Sequence, residues 1–112
     1  MKAPRLNLEV VLENPVRTAD GAGGFAESWQ ALGTLWAQIL PRSGREANGP
    51  AGAVSLSRHR VILRAAPVGQ PMRPVAGQRL RFGTRCLAIE AVTEMPDQPL
   101  YLRCDVTEET AT

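Results

Sequence analysis

Apolar residues recur at every second position in run after run of this chain, and that spacing restricts the fold more than any other feature. Leu6, Leu8, Val10 and Leu12 alternate with Asn7, Glu9 and Val11. Leu35, Ala37 and Ile39 alternate with Trp36, Gln38 and Leu40. Leu100, Leu102, Cys104 and Val106 alternate with Tyr101, Arg103, Asp105 and Thr107. Side chains along a strand point to opposite faces in turn, so each run makes a strand with one buried face. Turn-forming residues separate the runs: Asn14-Pro15, the glycine-rich segment 18–24, Gly33, Pro41, the prolines at 67, 71 and 74, Gly83-Thr84, and the stretch 95–99. The segments 79–82 and 85–94 then read as a hairpin closed by Gly83-Thr84. Six or seven short antiparallel strands without a convincing long helix predict an all-β fold, a small single-domain β-barrel.

The run 55–66 reads as the central strand, with Ser57, His59, Val61, Leu63 and Ala65 on the core side and Leu56, Arg58, Arg60, Ile62 and Arg64 on the other. A chain of 112 residues is one domain, since two would each have a marginal core. No apolar run reaches the ~20 residues that span a bilayer, so no membrane association is expected. Cys86 and Cys104 are too few, with His59 the only histidine, for a structural zinc site. Their opposite strand parities predict two free thiols. No cofactor is implied.

Between strands, residues 42–54 place Gly49, Pro50 and Gly52 where a helix begun at Ser43 would have to continue. Glycine costs about 1 kcal/mol and proline about 3 in a helix interior, so a long mobile loop is expected, a candidate for partner contact. The hairpin tip at 18–24 is expected to be flexible. Asn14-Pro15 is expected to end the first strand and residues 108–112 to form a loose tail. Trp29 and Trp36 read first as core or sheet-packing aromatics and otherwise as exposed interface anchors.

Charge is segregated along the chain. Residues 47–89 hold no Asp or Glu, yet they carry Arg58, Arg60, Arg64, Arg73, Arg79, Arg81, Arg85 and His59. Strand periodicity clusters three of these arginines, which marks either a solvated face or attachment to an acidic surface. The absence of a recognition helix and the 4% aromatic content argue against base-specific nucleic-acid readout.

Signs of catalysis are missing. The glycines at 21, 23 and 24 precede no helix start, so no nucleotide-binding turn forms. His59 has no carboxylate nearby in sequence, Cys86 lies in no nucleophile motif, and Cys104 reads as a small core residue. No catalytic, cofactor or metal residues are assigned, and the chain is not expected to be an enzyme.

Taken in order, several segments resemble the head-tail joining proteins of tailed bacteriophages and phage-like particles, also called head-closure or stopper proteins. These are Trp29, the run 35–39, the segment 41–46 with Arg42, Ser43, Gly44, Arg45 and Glu46, the strand 59–64, Met72-Arg73, the arm 78–82, residues 87–89, and the run 100–104. The breaker-rich stretch 47–52 departs from that family, whose members commonly continue helically there. The resemblance implies a small barrel assembled as a homo-oligomeric ring, a hexamer or dodecamer, in the neck of the virion after assembly in the host cytoplasm. Its partners would be the portal-side adaptor ring, the tail terminator or tail tube, and packaged double-stranded DNA in the channel without sequence readout. It would join head to tail and help retain DNA. On this reading Arg58, Arg60, Arg64, Arg79, Arg81 and Arg85 meet acidic neighbours, including the 90–105 region of the next subunit, while residues 42–46 contact a partner or the channel. Alternatives are another neck protein such as a tail terminator, or a small barrel holding nucleic acid non-specifically through its arginine face.

Overall fold

The computed structural model describes residues 4–41, 47–48 and 54–111. It is all-β: β1 (Leu8–Ala19), β2 (Phe25–Pro41), the two-residue β3 (Ala47–Asn48), β4 (Val54–Arg64), β5 (Arg79–Phe82), β6 (Arg85–Glu94) and β7 (Tyr101–Ala111). Every pairing is antiparallel, and the sheet order β2-β1-β5-β6-β7-β4 returns to β2 through a β2–β4 pairing. Six strands thus close into a ring, barrel-like as the alternation predicts, with β3 added along β4.

Period-two burial fills the interior. Val10, Leu12, Ala37, Val61, Leu63, Leu80, Leu87, Ile89, Cys104 and Val106 form one buried cluster. Each large side chain in it contributes roughly 1.5–3 kcal/mol through removal from water. Both cysteines are free; Cys104 is fully buried, and burial pushes its thiol up to about 12.

Only one connection joins strands that are not neighbours in the ring. Residues 65–78 link β4 to β5 on the far side and therefore cross one mouth of the sheet. Pro74 is fully buried there, and Arg73 Nη1 donates to the Ala66 carbonyl at 3.0 Å. Gln78 accepts from the Val75 amide at 2.9 Å and donates to Asn14 Oδ1 at 3.1 Å. Met72 lies so close to Gly33 that a Cβ there would sit 2.7 Å from its sulfur.

Two paired extensions leave opposite ends of this ring. β5 meets β1 only from Val11 to Glu13, and β4 meets β2 only from Ala37 onward, so the remainder of β1 and β2 runs on as a two-stranded arm ending at residues 20–24. At the other end β4 and β7 stay paired beyond the last β6–β7 pair, from Leu56↔Glu109 to Val54↔Ala111. Because β1 and β4 run parallel and extend at their C- and N-terminal ends respectively, the two extensions point apart. The longest dimension is 53 Å and the radius of gyration 15.5 Å, against about 13 Å for a compact chain of this length.

Three local expectations change. Pro15 does not end β1, because β5 has already left that edge and a missing donor is tolerated on an open edge. Gly33 does not divide β2; it lies beside a bulge, where the register shifts between Leu12 and Glu13. Residues 108–111 do not trail as a loose tail, since the start of β4 supplies them with a strand partner. Of the expected 42–54 loop, 47–48 and 54 are in strands and the rest lies outside the described residues.

Candidate assembly surface

The arginines fall into separate environments once the strands are paired. Arg79 and Arg81 point outward from β5, with Glu13 of β1 beside them. Arg79 Nε donates to Glu13 Oε1 at 2.6 Å, and Arg81 Nε donates to Oε2 at 3.0 Å. Glu13 is only 6% exposed. Burial alone would raise its pKa, but the hydrogen bonds and charges of Arg81 and Arg79 outweigh that and hold the carboxyl below its ordinary value. The Arg79 guanidinium also stacks 4.1 Å from the Trp29 ring centroid. Trp29 is half-buried and packs on the sheet as expected.

Arg85 does not share that surface. The hairpin register pairs it with Phe82, which places it on the barrel-interior parity with Leu80 and Leu87. It closes the mouth opposite the 65–78 crossover: Nε and Nη2 donate to the two oxygens of Glu108, each at 2.7 Å, and the guanidinium lies 4.6 Å from the Phe82 ring centroid. His59 Nε2 stands 3.6 Å from Glu108 Oε1. The hydrogen bonds from Arg85 hold Glu108 below the ordinary carboxyl value, and Glu108 in turn raises Arg85. This bidentate pair is the strong form of a charge-assisted contact.

Arg58, Arg60 and Arg64 are all exposed on the outer face of β4, and among the described residues none makes an ion pair. They are not an unbroken row. Ile62 between them is 4% exposed, at the floor of a cleft of about 330 Å³ lined by Pro4, Arg5, Gln38, Leu40, Met95 and Gln98. Beside this row β2 turns Trp36 (53% exposed) and Leu40 (38% exposed) outward. Trp36 is not a core residue, because Leu35, Ala37 and Ile39 occupy the inward positions. An apolar pair flanked by unpaired guanidiniums is the composition of a protein contact centre, in which Trp and Arg are enriched. Residues 42–46 lie outside the described residues.

Two participants escaped the sequence reading. Glu13 and Glu108 are distant from their arginines in sequence, and only the β1–β5 and β6–β7 registers bring them together. The signal for Arg85 was present: a two-residue turn at Gly83-Thr84 forces Phe82 opposite Arg85. Among the described residues no three His, Cys, Asp or Glu side chains gather as a metal site.

A closed six-stranded ring with exposed apolar and basic side chains side by side on β2 and β4 invites comparison with known proteins. The family model for phage head completion proteins matches residues 1–109. This chain belongs to the phage head completion protein family. A related chain in the virion of a native gene transfer agent particle is 43% identical, with a TM-score of 0.85 over 98% of this chain and 100% of that one. The solution structure of protein SF1141 from Shigella flexneri 2a is 22% identical, with a TM-score of 0.65 and 96% of each chain covered; that likeness is one of fold. No curated protein matches. For this head completion family member the resemblance drawn from the order of segments is therefore correct, and so is the small antiparallel closed sheet it implied.

Proposed function

We propose that this protein is a structural, non-catalytic subunit of the head–tail connector of a phage-like particle. It forms a ring in the neck between the portal-side adaptor and the tail, offers the tail its docking surface and helps retain packaged DNA. The supporting observation is the full-length, 43% identical likeness to a chain of a gene transfer agent virion. Two extensions at opposite ends of one barrel suit a part that must meet different partners on its two sides.

In this reading the contact surface to neighbouring subunits or partners is the β4 face with Arg58, Arg60 and Arg64, next to Trp36 and Leu40. Segregated charge lets a heterologous ring present complementary patches to its two neighbours. Exposed Glu90 on β6, separated from β4 by β7, supplies an acidic counterpart on the next copy. Arg79, Arg81 and Arg85 contribute less, since each already meets a carboxylate of its own chain. The unpaired guanidiniums also favour a second reading, a barrel held on nucleic acid by phosphate contacts. Trp36 and Leu40 at the same surface favour protein.

Removing the gene from its particle should yield heads that lack tails and lose DNA, seen by electron microscopy and nuclease protection. Normal tailed particles would refute the connector role. Arg58→Glu with Arg60→Glu should block assembly while the isolated chain keeps its fold by circular dichroism. Steeply salt-dependent binding of the monomer to duplex DNA, with no ring, would favour the second reading.

A further inference from the structure

The β1–β2 arm has two free edges. Among the described residues, beyond Glu13 nothing but β2 pairs with β1, and from Phe25 to Trp36 nothing but β1 pairs with β2. Exposed strand edges are templates for pairing with another chain, and an isolated two-stranded ribbon is marginal in water. The direction of the free amides follows from the tip. The Asp20 amide donates to the Gly24 carbonyl at 3.1 Å, which makes 20/24 a hydrogen-bonded pair. Alternation along the ladder then makes 19/25, 17/27 and 15/29 non-hydrogen-bonded pairs. The amides of Arg17 and Ala19 on one edge, and of Phe25, Glu27 and Trp29 on the other, therefore point away from the arm. Pro15 sits at an outward-facing position and ends the usable β1 edge there.

The tip itself is well organised. Asp20 accepts hydrogen bonds from the amides of Ala22 at 2.8 Å and Gly24 at 3.1 Å, while Gly21 and Gly23 take positive φ. The charges on the two edges are opposite. Arg17 lies on β1, its guanidinium 4.8 Å from the Phe25 ring centroid, and Glu27 lies exposed on β2. Neither makes an ion pair among the described residues.

We propose that the arms of adjacent copies pair with one another, the β2 edge at 25–29 of one copy against the β1 edge at 16–19 of the next. This rests on the ring reading above and names the contact that closes it. Side by side in a ring, identical arms bring an edge of one direction against an edge of the opposite direction, so the pairing is antiparallel and no other segment is needed. Glu27 of each copy meets Arg17 of its neighbour. Closure leaves no free edge, which is how barrels avoid open-ended association.

Glu27→Pro removes an outward amide and leaves the ladder within the arm intact, as Pro15 already does on the other edge. The variant should keep the wild-type melting curve and lose the ring species seen for the wild type by sedimentation. Charge provides a second test that does not depend on proline. Arg17→Glu alone and Glu27→Arg alone should each shift assembly to at least tenfold higher concentration. An equimolar mixture of the two should restore it, because an alternating ring pairs opposite charges between copies while each arm still holds like charges. Rings from Glu27→Pro, or single variants that assemble like wild type, overturn the arm contact and leave the ring standing. A mixture no better than its components overturns it too. A wild-type chain that never forms rings, alone or in particles, overturns the ring reading and the arm contact with it.

Discussion

Two groups of arginines in one acid-free stretch of sequence reach opposite situations in the folded chain. Arg79, Arg81 and Arg85 are each held by a carboxylate, Glu13 or Glu108, whereas Arg58, Arg60 and Arg64 meet none among the described residues. Segregation along the chain is thus not segregation in space. Strand pairing sets residues more than sixty positions apart against each other and consumes half of the apparent basic surface. What remains on β4 is the part free to act on something else. The first group should govern stability and the second association, and variants can separate the two.

Glu13→Gln should have the largest effect. It leaves two part-exposed guanidiniums around a neutral amide that is itself nearly closed to water. Removing one member of such a part-buried pair costs about 2 kcal/mol, between the values for exposed and fully buried pairs. For a chain of this length that is a fall in Tm of about 10 °C. Denaturant titration measures it. A loss below about 0.5 kcal/mol would mean that the Glu13 contacts add nothing and that the two arginine groups are alike.

Glu108→Gln should cost less, about 1 kcal/mol, because Arg85 is 46% exposed and solvent screens the pair. Its pH dependence is more informative. Glu13 and Glu108 both titrate lower in the folded chain than when unfolded. Their contribution is then fully present above the unfolded carboxyl value of about 4.3, and it is lost as pH falls through the folded values. Wild-type stability should therefore drop from about pH 5 downward, and the drop should be shallower in Glu108→Gln and Glu13→Gln. Parallel pH curves for all three proteins would break the link between these arginines and stability.

The fold was legible because the signals that set it are local. Alternation at Leu8 to Leu12, Leu35 to Ile39, and Leu102 to Val106 fixes which faces are buried, and Gly83-Thr84 fixes one hairpin, whereas Leu100, expected on the buried face, precedes β7 and is exposed. Pro15 misled because its effect depends on whether a neighbouring strand needs its amide, and the β1–β5 pairing stops at Glu13. The tail at 108–111 misled for a similar reason: its partner, the start of β4, lies about fifty residues away. Of the candidate surface, the outward parity of Arg58, Arg60 and Arg64 was readable. Their lack of partners was not, and neither was the burial of Ile62, which lines a cleft together with Pro4 and Met95 from distant parts of the chain.

The smallest expected effect is also the one that tests the comparison most closely. Arg60 lies directly opposite Asp105 in the β4–β7 register, and Asp105 Oδ1 is buried without a hydrogen bond, 3.7 Å from Arg103 Nε. A carboxylate in that setting has a reason to recruit a second guanidinium besides that of Arg103. If Arg60 is free for a partner, Arg60→Ala should change stability by less than about 0.5 kcal/mol, as exposed substitutions usually do. Arg58→Ala and Arg64→Ala should match it. A cost above about 1 kcal/mol for Arg60 alone, abolished when Asp105→Asn is already present, would reveal a coupled pair. Arg60 would then join Arg79, Arg81 and Arg85 in holding the sheet, and the surface left for assembly would contract to Arg58 near the middle of β4 and Arg64 beside Trp36 at its end.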